Sequence, residues 1–300
     1  MKQIVVLSGK GGTGKTSLIA AFSHLAANRV MVDADVDASN LQLVLNPRVE
    51  EEQRFMGGQV AEIDPGLCTG CNLCEEACRF DAISHQGGTY VVDPVACDGC
   101  KACFYACPVE AIDMAPQHAG WWYRSLTEQG PLYHAHLRPG QENSGRLVTL
   151  VKQQGRLRAL DEEREYLLVD GPPGIGCPVI SAASGADLAV IVVEPTVAGV
   201  HDLQRVLGTV AHFQVAALVV INKADINPRK VREIRDFCEQ HGVEVAAEIP
   251  YDPVVTQAMV AGLPVTLHAP ESPVSRAMIA AWKRVVATLA GQGERDAESR

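Results

Sequence analysis

Short, uninterrupted apolar runs recur along the chain, separated by polar and glycine-rich turns. Ile4-Val5-Val6-Leu7, Arg29-Val30-Met31-Val32 and Tyr166-Leu167-Leu168-Val169 are followed by Leu188 to Val193 and Leu218 to Ile221. A strand with both faces buried reads as such a run, so the pattern predicts strands of a mostly parallel sheet. Ser17 to Ala27 is rich in helix formers. Pro273 to Leu289 puts Ile279, Trp282, Val285, Val286 and Leu289 on one face, as a helix covering a sheet does. The predicted class is α/β, a mostly parallel sheet flanked by helices.

Composition narrows the setting. The chain has 300 residues, 47% hydrophobic and 21% charged, long enough for one large α/β domain or such a domain plus a small module. No apolar run approaches the roughly 20 residues that span a bilayer, and Met1-Lys2-Gln3 leads into no secretory segment, which predicts a cytoplasmic protein. The last helix is expected to cover the sheet, with a polar tail from Gly291 to Arg300, so membrane attachment is not expected. A net charge of −10 without clustered Lys and Arg argues against direct nucleic-acid binding. Ten cysteines in a reducing compartment read as metal ligands or catalytic groups before they read as disulfides.

Eight of those ten form two sets, Cys68, Cys71, Cys74, Cys78 and Cys97, Cys100, Cys103, Cys107, each spaced C-x2-C-x2-C-x3-C. The second set follows the first by 29 residues, and Asp64-Pro65, Gly70, Ala77 and Ala82-Ile83 repeat as Asp93-Pro94, Gly99, Ala106 and Ala111-Ile112. This is an internal duplication. The segment resembles bacterial ferredoxins that hold two 4Fe-4S clusters, in which three closely spaced thiolates bind one cluster and the fourth comes from the other repeat. The resemblance implies one cluster on Cys68, Cys71, Cys74 and Cys107, and another on Cys78, Cys97, Cys100 and Cys103. Pro108 follows the last cysteine as in those ferredoxins, whereas Arg79 replaces the proline of the first repeat. A pair of four-cysteine zinc sites is the alternative.

Immediately after the first strand, Gly9-Lys10-Gly11-Gly12-Thr13-Gly14-Lys15-Thr16 matches G-x-x-x-x-G-K-[ST] and opens a helix. Glycines let backbone amides close around phosphate oxygens, and the helix N-terminus adds positive potential. Gly11, Gly12, Thr13, Gly14, Lys15, Thr16 and Ser17 are therefore candidate nucleotide-binding residues, with Lys15 on the β/γ-phosphates and Thr16 on Mg2+. Asp33, Asp35 and Asp170 lie at strand ends, where α/β folds bind ligands.

The early Lys10 makes the loop similar to the deviant Walker A of the MinD/ParA ATPases. That resemblance implies a nucleotide-dependent homodimer in which Lys10 reaches the partner's ATP. It places Asp35 at the attacking water and Asp33 in the magnesium shell. Asp170-Gly171-Pro172-Pro173-Gly174 looks like Walker B running into switch II, with Asp170 holding Mg2+ through water. Asn222-Lys223-Ala224-Asp225 has the guanine-selecting form N-K-x-D, but in MinD-like ATPases an asparagine here, with a later strand end such as that at Pro250, receives adenine.

The whole chain resembles MinD-superfamily ATPases with an inserted ferredoxin domain, including Asn143-Ser144-Gly145-Arg146-Leu147 and Gly174-Ile175-Gly176-Cys177-Pro178. It implies an ATPase domain over 1–56 and 117–300, interrupted by the insert over 57–116. The expected function is a slow, partner-stimulated ATPase gating electron transfer or redox regulation of a redox or metalloprotein partner. An iron-sulfur or metallocofactor assembly ATPase is the alternative, and a redox-sensing positioning protein a weaker one. Cys177, His134 and His136 are read as packing or surface residues.

Overall fold

The computed structural model describes residues 1–139, 141 and 144–298. The first half of the chain runs β1 (Lys2–Ser8), α1 (Lys15–Leu25), β2 (Arg29–Asp33), α2 (Leu41–Leu45), β3 (Arg48–Ile63), α3 (Leu73–Ala77), β4 (Ile83–Gln86), β5 (Thr89–Val92), α4 (Ala102–Ala106), β6 (Ile112–Thr127) and β7 (Gly130–Leu137). It continues through α5 (Ser144–Asp161), β8 (Tyr166–Pro173), α6 (Cys177–Ala183), β9 (Leu188–Val193), α7 (Val197–His212), β10 (Ala216–Asn222), α8 (Pro228–Gln240), β11 (Glu244–Ile249), α9 (Val254–Val260), α10 (Val265–His268) and α11 (Pro273–Glu298).

Two compact units emerge. The first comprises Met1–Glu52, Trp122–His136 and Ser144–Arg300, and the second Gln53–Trp121 with Leu137–Asn143. The division cuts β3 after Glu52 and β6 after Trp121.

Nine strands form one sheet in the order β11-β10-β9-β1-β8-β2-β7-β6-β3. From β11 to β7 every neighbouring pair is parallel. The α/β class and the mostly parallel sheet are thus as the apolar runs predict. Ile4 to Leu7 of β1 and the whole of β9 are apolar without interruption because their side chains are buried on both faces. One core cluster joins β1, β8, β9 and β10 to α1 and α11, with Trp282 packed 5.2 Å from Phe22 and 5.3 Å from Tyr166 between ring centroids.

The last helix departs from expectation in two ways. It continues to Glu298, since the tail contains helix formers and no proline, so most of the expected polar tail is helical. Its buried face is Val274, Met278, Ala281, Trp282, Val285 and Leu289, while Ile279 and Val286 are only partly buried at its flanks. Ser299 and Arg300 lie outside the described residues, as does Asn143 of the family segment. Among the described residues no helix is long and apolar enough to cross a membrane.

In the second unit, β4 pairs with β5 antiparallel, Ile83 opposite Val92. The duplication is visible in the backbone: left-handed residues occur at Gly70, Asn72 and Asp81, and again at Gly99, Lys101 and Glu110. Ala61, Cys74, Ile83, Tyr90, Cys103 and Ile112 form the core of this unit.

Candidate functional site

In the first unit, β1 delivers the chain into the loop that precedes α1. Gly14 has φ +97°, and a Cβ there would lie 2.4 Å from Asn222 Nδ2. No side chain caps α1, so its first N–H groups stay available to an anion. Lys15 is 5% exposed at this helix start. Ser8 Oγ donates to the Lys10 carbonyl at 2.6 Å and fixes the other end of the loop.

Asp170, on β8, is buried, and its Oδ2 accepts from Thr16 Oγ1 at 2.7 Å. Its Oδ1 is buried with no hydrogen-bond partner. A buried carboxylate oxygen left bare beside a threonine hydroxyl and a lysine fits a divalent cation, whose charge would satisfy it. Burial, and then the neighbouring charge of Asp33, push the Asp170 carboxyl well above the ordinary range, against the pull of Lys15.

Asp33 ends β2 and is wholly buried. The resemblance places it in the magnesium shell, but here both oxygens are engaged by the following loop. Oδ1 accepts from the Asp35 N–H at 3.1 Å. Oδ2 accepts from Ser39 Oγ at 2.7 Å, the Asn40 N–H at 3.1 Å and the Leu41 N–H at 3.0 Å. Asp35 is half-buried, and burial, opposed by Lys15, lifts its carboxyl to about 6.

Three other expected contacts have different partners. Lys10 is paired within its own chain, its Nζ 2.9 Å from Glu194 Oε2. Asn222 braces the phosphate loop, donating from Nδ2 to the Thr13 carbonyl at 2.8 Å. Ser17 Oγ faces Met259 Sδ at 3.7 Å. Pro250 is half-buried just past β11, and Asp225 Oδ1 accepts from the adjacent Tyr251 N–H at 2.7 Å. Glu194 is the residue that sequence reasoning missed. It ends the apolar run of β9 as Asp33 and Asp170 end theirs, and the same strand-end rule points to it.

In the second unit the cysteines gather across the repeats. One cavity is lined by Cys68, Cys71, Cys74 and Cys107 together with Ile63, Tyr90, Ala111 and Ile112. The other is lined by Cys78, Cys97, Cys100 and Cys103 together with Ala61, Ala82, Ile83 and Met114. All ten cysteines of the chain are free thiols. Within the two sets exposure repeats with the sequence: Cys74 and Cys103 are buried, Cys71 and Cys100 exposed, and Cys68, Cys78, Cys97 and Cys107 intermediate. The Ala111 N–H donates to Cys107 Sγ at 3.2 Å. The Cys68 thiol is held below its usual value by the Thr89 hydroxyl first, then by the Gly70 and Tyr90 N–H groups. Among the described residues, no three or more His, Cys, Asp or Glu side chains converge as a site for one metal ion.

Outside both sites, Cys177 is exposed at the start of α6, and Cys238 is buried with its thiol pushed up to about 11. His134 is buried, stacked on Tyr123 with centroids 4.9 Å apart. His136 Nε2 lies 2.9 Å from Gln42 Nε2.

The family model for the CobQ/CobB/MinD/ParA nucleotide binding domain matches residues 4–265. An uncharacterised Methanocaldococcus jannaschii protein, MJ0578, is 35% identical over 228 residues, covering 75% of this chain and 79% of its own. The septum site-determining protein MinD of Synechocystis is 24% identical over 276 residues, covering 88% of this chain and 82% of its own. Among solved structures, MinD from Pyrococcus horikoshii, complexed with Mg-ADP, superposes with a TM-score of 0.55 at 21% identity, covering 95% of each chain.

Proposed function

Because the chain belongs to the CobQ/CobB/MinD/ParA nucleotide-binding family and is a P-loop ATPase, we propose that it is a dimeric switch driven by ATP whose second unit holds two 4Fe-4S clusters and exchanges electrons with a redox partner. The gathering of the eight cysteines into two mixed-repeat cavities carries this reading. A single zinc ion draws four sulfurs to about 2.3 Å from one point. A cubane binds each thiolate at a different iron and needs them spread around a larger void. Four cysteines lining each cavity, with no converged single-ion site among the described residues, fit the cubane better. When bound, such clusters supply one-electron chemistry.

The chain's own residues supply the rest. The amides of Gly11 to Thr16 and the Lys15 ammonium bind the phosphates of ATP. Thr16 and Asp170 would hold Mg2+, whose charge would satisfy the bare Asp170 oxygen. Asp35, half-buried beside Lys15, orients the attacking water. Lys10 leaves Glu194 to contact the ATP of a second copy. Asn222 keeps the loop in shape while this happens. In the second unit, apolar neighbours such as Ile63, Ile83 and Ile112 shield the cavities from water, while exposed Cys71 and Cys100 mark where an electron enters or leaves.

The test is an anaerobic iron and sulfide count with EPR of the dithionite-reduced protein, repeated with an apo-acceptor with and without MgATP. About eight irons per chain that stay bound, with only their EPR signal or potential responding to ATP, support the switch. Transfer of intact clusters to the acceptor on adding ATP would make the protein an assembly factor instead. Zinc in place of iron would remove the redox reading altogether.

A further inference from the structure

A groove in the second unit belongs to neither site described above. Its volume is about 520 Å3, within the range of clefts that hold ligands. Residues 60–63 and 65 line it from one repeat, and 89–92 and 94 from the other. These are the same positions taken 29 residues apart, so the groove lies where the two repeats meet.

Its walls are strand edges. Side chains of a strand alternate between two faces, so a void over one face meets every second residue. Here four consecutive residues line each side, 60–63 at the end of β3 and 89–92, the whole of β5. β3 is the last strand of its sheet and β5 pairs only with β4, so no ladder joins them across the groove. The Asp64 N–H donates to the Ala111 carbonyl at 2.8 Å, and the Asp93 N–H to the Ala82 carbonyl at 2.7 Å. Backbone groups of successive strand residues point to opposite edges, so those of Ile63 and Val92 turn away from Ala111 and Ala82, towards the groove they line.

A strand edge left without a partner is a template for another strand. An added strand takes its affinity from main-chain hydrogen bonds and its specificity from alternate side chains. A helix cannot answer these edges, because its backbone groups are bonded internally. Charge selects the occupant further. Residues 57–116 hold nine Asp and Glu against two cations, Arg79 and Lys101. Glu62 lines the groove, and Asp64 and Asp93 each stand between two lining residues, while among the described residues no Lys, Arg or His lines it. Val60, Ala61 and Tyr90 are buried there and give it apolar walls. Alternating cationic and apolar side chains match such a surface.

We propose that this groove receives an extended basic segment of a partner protein, which pairs as a strand with the edges of β3 and β5. The proposal does not depend on what the cysteines bind.

The experiment is fluorescence anisotropy of the full-length protein, purified anaerobically, with a labelled peptide of alternating lysine and valine as the probe. The peptide is expected to bind. Methylating its backbone nitrogens, replacing its lysines by glutamate, or changing Glu62→Lys in the protein should each weaken binding by about tenfold or more. Glu75→Lys makes the same charge change on α3, away from the groove, and should leave binding within about twofold. The inference is overturned if the peptide does not bind, or if its methylated form binds as tightly, since strand pairing is then absent. Equal loss in Glu75→Lys and Glu62→Lys overturns it too, because the acidic surface as a whole would then be the attractant. Should Glu62→Lys fail to fold by circular dichroism, Val91→Lys decides, and unweakened binding in that variant rejects the groove.

Discussion

Lys10 Nζ lies 2.9 Å from Glu194 Oε2, and Lys223 Nζ holds the other oxygen of the same carboxylate at 2.6 Å. The lysine that resembles an intersubunit contact is therefore paired at home, with a second cation ready to keep Glu194 neutralised when Lys10 departs. Glu194→Gln is expected to tighten ATP-dependent dimerisation by up to about fivefold, the equivalent of about 1 kcal/mol for a partly exposed ion pair. Lys10→Ala should abolish dimerisation and leave nucleotide binding intact. Sedimentation with and without MgATP measures both. A weaker dimer in Glu194→Gln would place Glu194 in the interface.

Asp35 and Lys15 should separate hydrolysis from binding. Asp35→Ala is predicted to hold ATP in a dimer that turns over at least about a hundredfold more slowly, the usual scale for loss of a positioned acid-base group. Lys15→Ala should bind no nucleotide. Phosphate release and filter binding read the two outcomes, and wild-type turnover in Asp35→Ala would refute its role.

Cys107 lines the cavity of Cys68, Cys71 and Cys74, although it belongs to the other repeat. Cys107→Ser should therefore disturb that cluster and spare the one at Cys78, Cys97, Cys100 and Cys103. Iron content and EPR give the answer. Loss confined to the second set would rule out the crossed arrangement.

Burial, followed by the charge of His136, drives the His134 imidazole down to about 4 from its usual 6.5. Its Nε2 lies 2.9 Å from Ser125 Oγ, and Nδ1 is buried without a partner. As pH falls from 6.5, the unfolded chain takes up a proton that the native protein refuses. The stability from a neutral His134 is therefore present above pH 6.5 and lost as pH falls towards 4, reaching on the order of 3 kcal/mol. Urea unfolding across this range should show a shallower pH dependence in His134→Gln. An unchanged slope would assign the acid sensitivity elsewhere.

The nucleotide half of the sheet is readable from its residues because strands buried on both faces leave unbroken apolar runs, and the glycine-rich loop must follow one of them. β3 has no such mark. Its first seven residues, Arg48 to Arg54, are exposed or half-buried, and what holds them to β6 includes the ion pairs of Arg124 with Glu50 and Glu51. Those partners stand more than seventy positions apart, beyond any local pattern. Asn222 illustrates a second limit. A motif names the residue, but only the folded chain shows that the missing Cβ of Gly14 leaves room for its amide to bond Thr13. The cysteines are the opposite case, since the ferredoxin resemblance that their spacing carries implies the sets that the fold brings to common cavities.

Ser39, Asn40 and Leu41 all donate to a single oxygen of Asp33. Whatever claims that oxygen competes with three bonds at once, while the other oxygen of the carboxylate holds the Asp35 N–H. The segment from Asp35 to Leu41 is thus tied to one carboxylate, and its bonds there stand or fall together. Its response to nucleotide should be a cooperative step, sharp in occupancy and slow to reverse, in place of a gradual drift.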